Sequence, residues 1–288
     1  MTTTALSRHH VLISAAQLAA ELASVQPPIV LAVHSADTDS VVPRAERQRI
    51  PTAQDSDLAK DFAAPGGGRL GSRPLPTLVE LEQKARAWGI GHSSTVVVYD
   101  HDGGLQAARA WWTLRWAGLT RVRLLDGGFD AWQAAGLSTE NLAGPAPARG
   151  DVTLSAGHLA QLTAAQSRLL ARDGVLLDTR IAPNYQGGPS VDGQPPRGHI
   201  PGALNLPAAE LLQADRTFLD NDALRARFLA LGVDGTRPAG VYCGAGVSAA
   251  HAILALACIG VQAPLYVGSW SAWSADPELP VAQGSQPG

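Results

Sequence analysis

The stretch from residue 241 to residue 251 reads VYCGAGVSAAH. A short apolar segment ends at Cys243, a loop with two glycines follows, and an alanine- and leucine-rich helical run begins near Ala249. This order of strand, tight loop and helix start predicts an α/β unit. Backbone N–H groups of such a loop and the N-terminus of the next helix converge on the cysteine, where they stabilise a thiolate. The alternative is a buried structural cysteine, since a free cysteine often behaves as a small hydrophobic residue.

Length, charge and cysteine content limit the classes of protein to which this chain can belong. The 288 residues are 45% hydrophobic, which is enough for two domains with their own cores. A net charge of −3 offers no electrostatic basis for binding nucleic acid or an anionic membrane. Cys243 and Cys258 are too few for a disulfide framework, and they lack zinc-type spacing. With neither a signal peptide nor a membrane-length apolar run, we expect a cytoplasmic protein without metal or cofactor.

The chain repeats one pattern of alternating strands and helices. The segment VLISA at 11–15 returns as VTLSA at 152–156, and LDGGFDAW at 125–132 returns as YVGSWSAW at 266–273. Other matched segments follow in the same order, at an offset of about 141 to 145 residues. Alternating strands and helices predict a mainly parallel sheet with helices on both faces. We therefore predict an α/β protein with two such domains, at 1–137 and 152–288, joined by a Gly/Pro/Ala-rich linker at 138–151.

The two halves differ where chemistry is expected. Cys243 aligns with Asp100, and the first-half loop reads DHDGGL at 100–105. An acidic loop does not stabilise a thiolate, so the second half is predicted to be catalytic and the first half non-catalytic. The chain should carry one thiol site.

Four motifs in the second half carry a family resemblance. They are LDTR at 177–180, GHIPGA at 198–203, VYCGAGVSA at 241–249 and GSWSAW at 268–273. With them the chain resembles the tandem-domain rhodanese-type sulfurtransferases, and most closely their actinobacterial members. The resemblance implies transfer of sulfane sulfur from a small-molecule donor, thiosulfate or 3-mercaptopyruvate, through a persulfide on Cys243. A thiol, a thioredoxin-like protein or cyanide would be the acceptor, and the site would lie between two rhodanese-like domains.

The resemblance also assigns roles to residues around the nucleophile. The loop expected to surround the persulfide consists of Gly244, Ala245, Gly246, Val247 and Ser248. Ser248 either donates its hydroxyl there or caps the following helix. Asn184 stands where the family usually has a substrate-binding arginine, and Arg197 is a candidate replacement cation. Ala245 occupies the serine position of the mercaptopyruvate-type loop. Structural support is expected from an Asp178–Arg180 ion pair and from His199 in its turn.

Three alternatives stay open at this point. A cysteine phosphatase would need an arginine at the position of Ala249, and a Cys–His hydrolase has only His251 nearby, a residue we interpret as structural. The third alternative is a catalytically weak persulfide carrier or interaction module with a degenerate substrate site. Asn184 and Ala245 favour this last possibility over the other two.

Overall fold

The computed structural model describes residues 7–35, 47–141, 146–188 and 197–288. Within these ranges the chain forms one five-stranded and one three-stranded parallel sheet, each with helices around it. Parts of the polar segment at 34–71 and of the predicted linker lie outside the described residues, namely 36–46 and 142–145. The domain boundaries at 137 and 152 therefore stay predictions.

The first sheet has the strand order β1-β5-β4-β2-β3, and all of its pairings are parallel. Its strands are β1 (Leu12–Ile13), β2 (Ile29–His34), β3 (Gln54–Asp57), β4 (Val96–Tyr99) and β5 (Val122–Leu125). The helices of this half are α1 (Arg8–Val11), α2 (Ala15–Leu22), α3 (Leu58–Asp61), α4 (Leu78–Ala87), α5 (Leu105–Trp116) and α6 (Gly128–Ala134). A short 3-10 turn spans Gly68–Leu70.

Both faces of the first sheet are buried, as its apolar strands require. Along β4, Val96 and Val98 join the core that contains α4 and α5, whereas Val97 and Tyr99 join the core that contains α2 and α6. Successive side chains of a strand point to opposite faces, so these two cores lie on opposite sides of the sheet. The predicted placement of helices on both faces is confirmed.

The segment at 34–71 contains more regular structure than its composition indicates. Its polar sequence with several prolines and glycines is typical of a loop, but β3 pairs with β2 and α3 follows it directly. The strand reads QDSD, a polar sequence with low strand propensity, and it is held by backbone pairing at the edge of the sheet. Asp57 then caps α3 by accepting hydrogen bonds from the N–H groups of Ala59 and Lys60. Tertiary pairing thus outweighs local propensity here.

The second sheet has the order β7-β6-β8 and is also parallel. Its strands are β6 (Val175–Asp178), β7 (Leu204–Asn205) and β8 (Ala239–Tyr242). Its helices are α7 (Ala164–Asp173), α8 (Ala182–Gln186), α9 (Asn221–Leu229), α10 (Ser248–Cys258) and α11 (Ser269–Trp273), with a 3-10 turn at Ala208–Leu211. None of the helices in the described ranges has the length and apolar character that a bilayer span requires.

The duplication extends to individual hydrogen bonds. The Ile50 N–H donates to the Tyr99 hydroxyl at 3.2 Å, and the Ile200 N–H donates to the Tyr242 hydroxyl at 3.1 Å. Each tyrosine ends the strand that precedes the diverged loop, so the two loops occupy equivalent places. The segment 48–53 and the motif at 198–203 are therefore structural counterparts.

The two halves share one continuous apolar core, because α5 packs against α10. Hydrogen bonds between the two halves add to this apolar contact. The Arg8 guanidinium donates to the carbonyls of Phe218 and Leu219 and to the carboxylate of Asp126, which also accepts the Phe218 N–H at 2.8 Å. The loop after β5 is thus tied to the second half, and the halves are held in a defined orientation around the thiol.

Candidate active site

Cys243 follows β8 at the carboxyl end of the second sheet and is 2% exposed. The Gly246 N–H donates a hydrogen bond to the Cys243 Sγ at 3.0 Å. The Cys243 backbone is itself fixed by α11, since its N–H donates to the Ser269 hydroxyl and its carbonyl accepts the Trp270 N–H at 2.8 Å. A backbone donor aimed at the sulfur favours the thiolate over the thiol.

Gly246 is the glycine that the loop geometry requires. Its φ is +73°, in the left-handed region, and a Cβ there would lie 2.6 Å from Arg109 Nη1 and 3.0 Å from the Val267 carbonyl oxygen. Gly244 has no positive φ, and the nearest atom to a Cβ there is Arg180 Cδ at 4.0 Å. Of the two glycines of this loop, only Gly246 therefore meets a spatial and conformational requirement for glycine.

Ser248 does not cap the following helix. The cap position of α10 belongs to Val247, and no side chain there accepts a hydrogen bond from the helix. The Ser248 hydroxyl instead lies 2.9 Å from the Thr179 hydroxyl, so it joins the loop to the segment after β6. Of the two roles that the sequence left open, helix capping is therefore wrong.

A cavity of about 340 Å³ opens beside the thiol. The second half lines it with Cys243, Gly244, Ala245, Val247 and Ser248, and the first half lines it with Ser72, Arg73, Leu105 and Gln106. Larger cavities of about 840 and 1040 Å³ occur on the second half, but no cysteine or histidine is among their described lining residues. The thiol cavity therefore lies between the halves, and among these three cavities it is the one with a cysteine among its described lining residues.

Two arginines of the first half reach this region, and neither was predicted from the sequence. Arg73 lines the cavity, and Arg109 on α5 is fully buried, with its guanidinium against the Gly246 carbonyl. The usable signal for Arg109 was a charged residue within a run of buried alanines and tryptophans on α5. Such a residue is seldom fully buried without a specific role.

The predicted Asp178–Arg180 ion pair is present. Arg180 Nη2 lies 2.5 Å from Asp178 Oδ2 and donates to the Gly198 carbonyl at 2.7 Å. Its guanidinium also stacks over the Trp270 ring at 4.7 Å. Burial opposes the charge of Arg180, but the contact with Asp178 outweighs burial and raises the Arg180 pKa. Through these contacts the pair connects β6 with the 198–203 turn and with α11.

His199 holds its turn, as expected. It is fully buried, stacks on Tyr185 at 3.8 Å between ring centroids, and places Nδ1 2.9 Å from the Tyr185 carbonyl. Asn184 and Arg197 are both exposed, and neither is among the described residues that line the thiol cavity. The substrate-binding role suggested for these two residues is therefore not supported by their positions, and it stays a prediction.

The equivalent loop of the first half contains a carboxylate where the second half has the thiol. Asp100 is buried, and its side chain accepts the N–H groups of Asp102, Gly104 and Ala107, each at 2.8 Å. Burial raises the pKa of Asp100, and these three donors act in the opposite direction. These N–H groups of the first-half loop thus bind its own carboxylate, and the non-catalytic role of the first half stays a prediction.

His251 behaves as a structural residue rather than as a base. It is fully buried on α10, stacks on Phe218 at 4.3 Å, and neither ring nitrogen has a hydrogen-bond partner among the described residues. Burial lowers its pKa to about 3 from the usual 6.5. It therefore stays neutral throughout the working pH range.

Acid sensitivity should follow from this histidine. Below about pH 6.5 the unfolded chain protonates His251 and the folded chain does not, so stability is lost as pH falls toward about 3. We expect His251→Phe to reduce the loss between pH 7 and pH 5 by about 2 kcal/mol, as urea unfolding would measure. His92→Phe, at an exposed position, is the control and should change nothing. Equal acid sensitivity of wild type and His251→Phe would contradict the expectation.

The fold and the thiol loop define a duplicated α/β protein with a buried cysteine beside a cavity between its halves. The chain belongs to the rhodanese family: the model of the rhodanese-like domain matches residues 40–135 and 161–276. A Mycobacterium tuberculosis protein named as a thiosulfate sulfurtransferase, SseB, is 40% identical over 97% of this chain and 99% of its own length. The 3-mercaptopyruvate sulfurtransferase of Escherichia coli K12 is 36% identical over 72% of this chain and 76% of its own.

Solved structures show the same fold. The wild-type structure of EanB superposes with a TM-score of 0.79 at 24% identity, covering 97% of this chain and 70% of that one. The crystal structure of YnjE superposes with a TM-score of 0.75 at 27% identity, covering 90% of this chain and 63% of that one. The predicted fold class and family are confirmed.

Proposed function

We propose that this chain is a sulfurtransferase that moves sulfane sulfur from thiosulfate or 3-mercaptopyruvate, through a persulfide on Cys243, to a thiol or cyanide acceptor. The observation that carries the proposal is the Gly246 N–H aimed at the Cys243 Sγ, beside a cavity between the two halves. Relatives named as thiosulfate and 3-mercaptopyruvate sulfurtransferases support the same reaction class.

The reaction proceeds in two displacements at sulfur. The Cys243 thiolate attacks the outer sulfur of the donor, and the bond from that sulfur to the rest of the donor breaks. The bonding electron pair leaves with sulfite or, for 3-mercaptopyruvate, with the enolate of pyruvate, which then takes up a proton. An acceptor thiolate or cyanide next attacks the outer persulfide sulfur, and the Cys243 thiolate is regenerated. Covalent catalysis of this kind replaces one difficult step by two easier ones.

Arg73 is the residue best placed to attract the donor. Both donors are anions, and the loop residues Gly244 and Ala245 carry no charge. Arg73 is the cation among the described residues that line the cavity. It compensates for the absence of the family's usual arginine at Asn184, so a weak substrate site need not follow from that absence.

Loss of this cation should weaken donor binding more than the chemical step. We expect Arg73→Met to raise KM for both donors by about tenfold or more, because one charge-assisted contact contributes about 1.5–3 kcal/mol. The change in kcat should be smaller. Arg69→Met is the control, since Arg69 is 64% exposed and pairs at the surface with Asp276. An unchanged KM in Arg73→Met would remove Arg73 from the substrate site.

A measurement of the intact mass of the protein after donor treatment tests the proposal. Incubation with thiosulfate or with 3-mercaptopyruvate should add the mass of one sulfur atom, and cyanide should remove it as thiocyanate. Repeated turnover identifies an enzyme. A stable one-sulfur adduct without turnover identifies the alternative, a persulfide carrier or interaction module. No added sulfur with either donor would overturn both.

The setting of the reaction is part of this proposal. A cytoplasmic location is supported by Cys243 and Cys258, which are both free, as expected in a reducing compartment. The net charge of −3 argues against a nucleic-acid partner. Thioredoxin-like proteins are candidate acceptors because they present a reactive thiolate.

A further inference from the structure

Arg109 is a fully buried cation at the contact between the two halves. It projects from α5, and its Nη1 donates to the Gly246 carbonyl at 3.3 Å. Its Nη2 donates to the Arg73 carbonyl at 3.0 Å, and its Nε has no hydrogen-bond partner among the described residues. The guanidinium of the first half therefore reaches the residue that donates its N–H to the Cys243 sulfur.

The charge of Arg109 needs an anion. Within the described ranges no carboxylate forms an ion pair with it, and its contacts are neutral carbonyls. A buried charge without a counterion costs several kcal/mol. Burial lowers the pKa of Arg109 to about 10, the nearby Arg73 acts in the same direction, and Cys243 acts in the opposite one. Cys243 is thus the neighbour whose negative form would favour the charged form of Arg109.

Several other charges around α5 and α10 are already paired. The ion pairs on elements packed against these helices include Asp61–Lys84, Arg123–Glu21, Arg8–Asp126, Glu210–Arg227 and Arg49–Asp55. Arg180 is paired with Asp178 on the opposite side of the loop. On α10 itself, His251 is neutral, and burial raises the Cys258 pKa to about 12, which keeps that thiol protonated. None of these groups replaces Cys243 as counterion.

We propose that Arg109 is a positioning residue for sulfur transfer, through which the non-catalytic half supplies the buried cation that balances the thiolate and persulfide anion of Cys243. It acts through Gly246, whose carbonyl it binds and whose N–H faces the sulfur. The inference rests on the proposed role of Cys243 as nucleophile.

The diverged loop of the first half, at residues 100–105, fixes the helix from which Arg109 projects. The Asp100 carboxylate accepts N–H groups from its own loop and from Ala107, in the first turn of α5. It thereby fixes the start of the helix that carries Arg109. The helices that follow the two equivalent loops, α5 and α10, pack on each other. The first-half loop that contains Asp100 in place of the cysteine thus helps to position a residue next to the site of the second half.

Charge variants of Arg109 test the proposal through alkylation of the thiol. Arg109→Gln and Arg109→Met remove the cation, and Arg109→Lys keeps it. Arg115→Gln, on the same helix but bonded to the Thr120 carbonyl, is the control. Carbamidomethylation of Cys243 by iodoacetamide would be followed from about pH 5 to about pH 10 by peptide mass, because the thiolate is the reacting form. Thermal unfolding would confirm that each variant is folded.

The neutral variants should need a higher pH to react. We expect the midpoint of alkylation to rise by about one pH unit or more in Arg109→Gln and Arg109→Met, because an adjacent cation favours the thiolate. Arg109→Lys should lie near wild type, and Arg115→Gln should match it. At pH 7 the rate of sulfur uptake should fall about tenfold in the neutral variants, with donor KM little changed.

A wild-type midpoint in folded Arg109→Gln would overturn the proposal. If the methionine variant does not fold, the glutamine and lysine variants still decide the question, since both keep a hydrogen-bond donor and differ in charge. Alkylation needs no sulfur donor, so the result is independent of the proposed activity. If the wild-type protein is alkylated readily but takes up no sulfur, the proposed function is wrong. The alkylation results for the Arg109 variants would still decide the role of Arg109.

Discussion

Replacing Cys243 by serine is expected to lower thiocyanate formation with either donor by about 10⁴-fold or more. A serine hydroxyl is not ionised near neutral pH and cannot form a persulfide, so the covalent route is lost entirely. The hydroxyl keeps nearly the size of the thiol, and the Gly246 N–H can still donate to it, so the fold should be retained. Steady-state assays with thiosulfate and with 3-mercaptopyruvate would measure the loss.

Cys258 provides the control for this variant. It is buried at the end of α10, and burial raises its pKa to about 12, so it is inert as a nucleophile. Cys258→Ala should keep its activity within about twofold and lose about 1–2 kcal/mol of stability, because a small buried side chain is truncated. Sulfur uptake by Cys243→Ser, or loss of sulfur uptake in folded Cys258→Ala, would indicate that Cys258 rather than Cys243 is the nucleophile.

The cysteine loop, the duplication and the family could be predicted because their signals are local. A strand, a glycine-containing loop and a helix start lie within about a dozen consecutive residues around Cys243, and the repeat preserves their order. Backbone geometry follows from such patterns when propensity and burial agree. The Asp178–Arg180 pair was predictable for the same reason, since only one residue separates its members and Asp178 ends a buried strand.

The cations of the site could not be predicted in this way. Arg73 and Arg109 come from the other half of the chain, and they lie near the cysteine loop because the two halves pack together. No local pattern encodes a contact across a domain interface. The second-half motifs favoured Arg197 as the replacement cation, but Arg197 is exposed and is not among the described residues that line the thiol cavity. A motif position alone does not decide where a side chain lies.

Gly246→Ala should damage both the fold of the loop and its chemistry. An alanine at φ +73° is strained, and its Cβ would lie 2.6 Å from Arg109 Nη1, a group held in place by two carbonyls. We expect stability to fall by about 2–3 kcal/mol and sulfur uptake to fall by about 100-fold, because a single displaced backbone donor costs that much in comparable sites. Urea unfolding and stopped-flow sulfur uptake are the measurements.

Gly136→Ala separates the two causes. Gly136 has a similar φ of +66°, but no atom lies within 4 Å of a Cβ built there, and it lies after α6 outside the thiol cavity. This control therefore carries the backbone strain alone, with an expected cost of about 1–2 kcal/mol and unchanged activity. If Gly246→Ala loses no more than Gly136→Ala in stability and keeps its sulfur uptake, Arg109 does not constrain the loop. A larger loss confined to Gly246→Ala would mean that the contact between the halves holds the Gly246 N–H against the sulfur.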